Sequence, residues 1–216
     1  MSEAVTWDGR TPVSPRFEDG FYGRRDGLEE ARHVFLAGND LLARAGPLHV
    51  AELGFGTGLN LAALLHDRGG PLRYTTFERY PLAANDADRA LSRWSELDRE
   101  REAIVAAWPE LVKGASVDLA PNVAVRMVVG DADETLPRWD GRADAWFLDG
   151  FAPARNPELW SPALMRSVHD HTAPGGTVAT YTAAGHVRRA LAAAGFSVER
   201  APGAPGKRHM TRGRRP

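Results

Sequence analysis

Four acidic side chains stand at or just beyond the end of an apolar run, and Asp149 carries the most chemistry among them. It follows the run Ala143 to Leu148 and opens the loop from Gly150 to Trp160, which holds Phe151, Pro153, Arg155 and Pro157. A carboxylate leaving an apolar strand among aromatic neighbours suits an amine substrate. It can hold the nitrogen in line with an electrophilic carbon and take the proton as the nitrogen is alkylated. The plainer alternative is a structural one, with Asp149 capping a turn and Pro153 fixing the loop.

The other three acids read as a ligand cradle. Glu52-Leu53-Gly54-Phe55-Gly56-Thr57-Gly58 is a glycine-rich turn between a strand and a helix, followed closely by Asn60. Gly54 and Gly56 let the backbone turn tightly and approach a ligand. The spacing departs from G-x-G-x-x-G, and no Lys-Ser/Thr follows, so it is neither the dinucleotide fingerprint nor a phosphate-cradling loop. Glu78 comes twenty residues after Gly58, one helix and one strand further on. A carboxylate there can accept both hydroxyls of a ribose; taken alone it reads as a solvated glutamate. Asp131, in Gly130-Asp131-Ala132, can accept from an adenine amino group and is equally a good helix N-cap. The two roles are compatible. E-x-G-x-G-x-G resembles the loop of Rossmann-like methyltransferases, whose ligand has no pyrophosphate.

For these residues to meet, strands and helices must alternate. Apolar spacing predicts a helix over 28–45, stopped by Gly46-Pro47. Strands are expected at 48–53, 73–77, 123–129, 143–148 and 177–181. Helices are expected at 59–66, 82–94, 162–171 and 185–194, with a short helix or turn at 134–139. Segments 196–199 and 208–211 suggest a closing hairpin. Residues 95–122 are the least regular and are expected as short helices inserted over a sheet edge; residues 1–46 form an N-terminal extension and helix. The alternation predicts a doubly wound α/β fold with helices on both faces of a mostly parallel sheet, where ligands bind at the carboxyl ends of the strands.

Composition narrows the chemistry. There is no cysteine, which excludes a disulfide scaffold, a thiolate metal site and a cysteine nucleophile. Seven histidines show no zincin-like spacing, and His169 and His171 would face opposite sides of a helix, so no metal is expected. No apolar run approaches the roughly 20 residues that span a bilayer. The N-terminus lacks a signal-peptide pattern, so a cytoplasmic location without a membrane partner is expected. The net charge of -1 gives no global case for nucleic acid, DNA included. From Val187 onward, however, Arg188, Arg189, Arg200, Lys207, Arg208, Arg212, Arg214 and Arg215 face a single acid, Glu199. That stretch reads either as a phosphate-holding patch or as a solvated tail.

The chain resembles the methyltransferase family that completes the 5-methylaminomethyl-2-thiouridine modification at the tRNA wobble position. The resemblance spans Thr11–Ser14 with Phe17 and Asp19, Gly27–Glu30, Val34–Asn39, Glu52–Asn60, Phe77-Glu78-Arg79 and Gly130-Asp131-Ala132. It continues over Asp144–Trp160, Thr180–Leu191, Gly195-Phe196 and Lys207-Arg208, and residues 147–157 are its most specific part. It implies a Rossmann-like class I methyltransferase with a seven-stranded, mostly parallel sheet, one domain over 1–216, S-adenosylmethionine as cofactor and tRNA as partner. Carried over, Glu78 and Asp131 with Ala132 hold the nucleoside part of the cofactor. Glu52, Gly54, Phe55, Gly56, Thr57, Gly58 and Asn60 complete its site, and Asp149 faces the uridine amine. By residue type and position, Phe151 or Trp160 is expected to stack on the base. Arg155, Arg188, Lys207 and Arg208 are expected substrate contacts, and Arg16, Arg24, Arg25 and Arg32 further phosphate contacts. His209 stands where the family has a glutamate. Some family members are fused to an FAD-dependent oxidase domain that makes the amine; a chain of this length resembles the stand-alone form, with any oxidase supplied by another protein. Alternatives are a methyltransferase of this fold acting on another RNA nucleoside or a small amine, a nicotinamide-dependent oxidoreductase, and a non-catalytic nucleotide-binding protein.

Overall fold

In the structure, a computed structural model, residues 3–23 and 25–216 are described. The chain opens with a small antiparallel meander, β1 (Thr6–Asp8), β2 (Thr11–Ser14) and β3 (Asp19–Gly20). Helix α1 (Gly27–Ala31) follows, its first turn capped by the Asp26 carboxylate, which accepts from Leu28 N and Glu29 N. It runs on as a wider π-helical turn, Arg32–Ala37. The helix expected to reach residue 45 stops here. Gly38 lies so close to Ala179 and Met210 that no side chain fits, and Asp40 turns left-handed at φ +54°. The wall of the sheet, not local apolar spacing, ends the helix.

The main sheet is then built from β4 (Leu48–Leu53), α2 (Leu59–Asp67), β5 (Leu72–Glu78), α3 (Ala84–Leu91), α4 (Asp98–Leu111), β6 (Ser116–Ala120) and β7 (Val123–Val129). After it come α5 (Ala132–Thr135), β8 (Ala143–Leu148), α6 (Pro162–Asp170), β9 (Thr172–Thr180), α7 (Gly185–Ala194), β10 (Ser197–Pro202) and β11 (His209–Arg214). Strand order is β10-β11-β9-β8-β4-β5-β7-β6. The five central strands are parallel, and β6, β11 and β10 are antiparallel at the edges. The sheet therefore has eight strands rather than seven. The extra strand is β6, hidden in the segment that looked irregular. That segment is one 14-residue helix followed by an edge strand, not a pair of short helices. Pro109 sits in the last turn of α4, where the chain is already leaving the helix.

Strand periodicity divides the core. Val50, Tyr74, Val125, Ala145 and Phe147 point to the face packed by α1, α2 and α4. Ala51, Leu53, Phe77, Trp146 and Leu148 point to the face packed by α6 and α7. Parallel strands buried on both faces explain why these segments read as continuous apolar runs. The chain winds outward from β4 through β5 to β7, then returns to β8 on β4's other side. This reversal creates the crevice at the strand tips where ligands bind in such sheets. No helix among the described residues is long and apolar enough to cross a membrane.

Candidate active site

The register of the sheet fixes the site. Leu53 pairs with Phe77 on one side and Leu148 on the other, so Gly54 stands level with Glu78 and Asp149. Gly54 N donates to Phe77 O (2.9 Å), and Asp149 N to Leu53 O (3.1 Å). Glu78 and Asp149 thus flank the glycine loop from neighbouring strands, roughly 10 Å apart at two strand spacings. Both open onto one cavity of about 860 Å³, lined also by Gly54, Gly56, Thr57, Asp131 and Phe151. That volume lies within the usual range of about 300–1,000 Å³ for small-molecule sites.

Each wall has a local cause. Gly54 turns at φ +80°, and a Cβ there would come within 3.2 Å of the Asp149 carbonyl oxygen. At Gly56 (φ +53°) a Cβ would press on the Phe21 ring at 3.3 Å. Glycine is required at both for the backbone to line the cavity. Glu78 Oε2 accepts from Gly56 N (3.1 Å) and Oε1 from Tyr80 N (2.8 Å). This locks the carboxyl at the loop and leaves acceptor capacity for a diol. Burial pushes Glu78 above the usual carboxylate range, against the pull of those N–H groups. Asp131 caps α5 by accepting from Asp133 N, and its other oxygen meets Arg79 Nη1 at 2.7 Å. It is both a helix cap and a cavity wall.

Asp149 is held twice. Its Oδ1 accepts from Gly150 N (2.8 Å) and its Oδ2 from Asn60 Nδ2 (2.7 Å). Burial raises it to about 7, against those two bonds, with Glu30 raising it further and Lys207 lowering it. An acid with such a value serves as a proton acceptor near neutrality.

A roof over the cavity comes from the N-terminal meander. Phe17 and Phe21 both pack on Phe151, and Asp19 Oδ2 accepts from Ala152 N (2.9 Å). Tyr181, beyond β9, donates to Gly150 O (2.8 Å), with the Lys207 ammonium 4.1 Å from its ring centre and paired to Glu30. Phe17, Asp19, Phe21, Glu30 and Tyr181 line the cavity and had been given no role from sequence. All but Phe21 belong to the motif segments noted above, Glu30 in Gly27–Glu30 and Tyr181 in Thr180–Leu191, the one signal that pointed to them.

Other expected site residues fall elsewhere. Glu52 is fully buried behind the cavity and does not line it. Gly58 starts α2 behind the lining, while Phe55 and Ala132 do reach the cavity. Trp160 is only 2% exposed and donates to Phe151 O (3.0 Å), so it supports the aromatic loop and has no face free for a base. Arg155 pairs with Glu18 outside the roof at 2.6 Å. Lys207 lines the cavity, whereas Arg188 and Arg208 do not; they gather with Arg200 around His209. Arg16 does line the cavity but is paired there with Glu3, and Arg32 is tied to Asp67 and Glu96 away from it, so neither is a free cation. Arg25 packs beside Gly206. Arg24 lies outside the described residues. Among those residues no cluster of three or more acids, histidines or cysteines could hold a metal ion.

A small-molecule cavity at the switch point of the sheet, walled by a glycine loop and by acids from three strand tips, defines a ligand-binding α/β protein. The chain belongs to the S-adenosyl-L-methionine-dependent methyltransferase family, whose profile matches residues 95–216. It is 40% identical, over 97% of its own length, to the tRNA 5-methylaminomethyl-2-thiouridine biosynthesis bifunctional protein MnmC of Chromobacterium violaceum. It spans about a third of the length of such curated relatives, 34% in this case. Among solved structures it is similar to MNMC2 from Aquifex aeolicus (TM-score 0.75, 22% identity, 98% of this chain and 69% of that one). It also resembles the SAM-bound amino pentose methyltransferase CalS10 from Micromonospora echinaspora (TM-score 0.53, 14% identity, 89% and 93% covered). These two likenesses speak to the fold. The protein is a methyltransferase that uses S-adenosylmethionine, and the cavity fits that cofactor: a diol acceptor, a close backbone and an acid lie along one line. An oxidoreductase is thereby set aside.

Proposed function

We propose that this protein methylates the exocyclic amine of 5-aminomethyl-2-thiouridine at the wobble position of tRNA, giving 5-methylaminomethyl-2-thiouridine. The observation that carries the reading is Asp149: an acid poised near neutrality, fixed by two hydrogen bonds, at the opposite end of the cavity's acidic line from Asp131. When bound, S-adenosylmethionine supplies an electrophilic methyl group on a sulfonium. Glu78 would hold the ribose hydroxyls, and Asp131 the adenine amino group once Arg79 releases one of its oxygens. Asp149 would draw the substrate ammonium into line and accept its proton, which frees the lone pair that attacks. Phe151, backed by Phe17 and Phe21, offers an aromatic wall to a base turned out of its stack. Arg25, Arg188, Arg200 and Arg208, beyond the cavity edge marked by Lys207, offer phosphate contacts that need no high net charge. The relatives' name supports the tRNA substrate. The reading places the enzyme in the cytoplasm, downstream of an oxidase that generates the amine.

The test is methyl transfer from labelled cofactor to tRNA that carries the 5-aminomethyl group, followed by nucleoside analysis. Label in 5-methylaminomethyl-2-thiouridine is the expected result. Label in a different nucleoside, or in a small amine offered alongside, moves the chain to another substrate of the same fold.

A further inference from the structure

Glu52 opens the glycine-loop pattern, yet the cavity does not reach it. Its side chain is 0% exposed, and among the described residues no cation pairs with it. Oε1 accepts from Asn60 Nδ2 (2.9 Å), while Oε2 has no partner. The Tyr74 and Thr76 hydroxyls are buried and unpartnered too. The register places them beside it: Glu52 pairs with Thr76 across β4 and β5, and Tyr74 lies two residues earlier on the same face.

The same Asn60 nitrogen gives its second hydrogen to Asp149 Oδ2 (2.7 Å). The two carboxyl oxygens are closer than those two bonds laid end to end. Two negative charges so placed, away from water, repel, and one group keeps its proton. Asp149 faces the cavity, where solvent, a cationic ligand and Lys207 act on it. Glu52 meets only Asn60 from α2, Tyr74 and Thr76 from β5, and the charge of Asp149 from β8. The negative charge therefore belongs on Asp149 and the proton on Glu52.

We infer that Glu52 is a positioning residue and not a cofactor ligand: as an un-ionised acid it anchors the Asn60 amide, whose other N–H then fixes Asp149 for the reacting amine. The inference rests on the role proposed for Asp149. Burial pushes Glu52 from 4.5 to about 8, with the charge of Asp149 raising it further, against the pull of the Asn60 bond and of the neighbouring Tyr74 and Thr76 hydroxyls. An acid raised in this way stabilises the fold fully below its unfolded value, and that contribution is lost as pH rises through the folded value.

The experiment compares wild type with Glu52→Gln, which keeps the acid form's hydrogen-bonding atoms but cannot ionise. Denaturant unfolding of the cofactor-free protein is followed from about pH 5 to about pH 8, a window in which one retained proton changes the folding equilibrium about tenfold per pH unit. The wild type is expected to lose ground to the variant by that factor. Parallel curves would mean that Glu52 is ionised in the fold and would overturn the inference. Calorimetric titration with S-adenosylhomocysteine is expected to stay within about threefold of wild type in Glu52→Gln, a difference of under about 1 kcal/mol. A loss beyond about tenfold would make Glu52 a charged ligand contact instead. In the methylation assay, Glu52→Ala is expected to lower kcat without raising the cofactor KM, with Gln restoring much of the loss; a raised KM that Gln leaves raised counts against positioning. If the wild type itself fails to methylate the tRNA, the proposed substrate falls, while the unfolding curves and the calorimetric titration, neither of which needs tRNA, still decide the state of Glu52.

Discussion

Phe17 lies face to face with Phe151, ring centroids 4.6 Å apart and planes at 22°. The contact joins the N-terminal meander to the loop that carries Asp149, and Asp19 reinforces it by accepting from Ala152 N. The roof over the cavity is therefore coupled to the reactive end. Such a ring pair contributes about 0.5–1.5 kcal/mol beyond its buried area. Phe17→Ala is expected to raise amide exchange at 17–22 and 150–152 together, and to weaken S-adenosylhomocysteine about three- to tenfold. Exchange that rises in only one of the two segments would show that they are not coupled.

Asp149→Asn keeps the shape and the hydrogen bond from Gly150 but removes the proton acceptor. Loss of a general base lowers the rate by about 10²–10⁴. The variant is expected to show that drop in kcat with cofactor affinity near wild type by calorimetry. A full rate would remove Asp149 from the proton transfer.

The pH profile follows from the same group. Burial raises Asp149 to about 7, so its base form is depleted below that value and recovered above it. The kcat/KM of the wild type is expected to rise on an acid limb centred near pH 7, about tenfold per unit well below the midpoint. That limb should vanish in Asp149→Asn. A limb that persists in the variant belongs to the substrate or to another residue.

Glu78 is fixed by Gly56 N and Tyr80 N, and acceptor capacity remains for a diol. Charge-assisted hydrogen bonds contribute about 1.5–3 kcal/mol each. Glu78→Ala is therefore expected to weaken cofactor binding at least about tenfold, with kcat at saturating cofactor much less affected. Glu78→Gln, which keeps acceptor capacity, should lie between. Unchanged calorimetric binding would take Glu78 out of the ribose contact.

The strands at 48–53, 123–129 and 143–148 and the helix at 185–194 were legible in full, because near-continuous burial in the first and third strands, a mostly apolar alternating strand between them and a helix stopped by Gly195 leave clear local signals. Glu78, Asp131 and Asp149 were legible as cavity residues because they stand at or just beyond the ends of the strands 72–78, 123–129 and 143–148, and strand ends carry ligand sites in this architecture. Residues 95–122 were not, since an edge strand with polar positions exposed lacks the apolar run of a central one. The roof was equally hidden. Phe17, Phe21 and Glu30 are distant in sequence from Asp149; membership of motif segments singled out Phe17 and Glu30 without giving them a place, and nothing singled out Phe21.

The amino-acid sequence alone determined the alternating fold, the glycine cradle and the acids at the strand tips, because turn geometry and burial are written in local residue types. It left two matters to the tertiary structure. Register, which shifts whole strands against one another, decided that Glu78 and Asp149 flank Gly54 on one face of the sheet. Burial, which depends on everything packed around a side chain, decided that Glu52 lies behind the cavity wall while Asp149 faces into it, although the two acids look alike in the sequence.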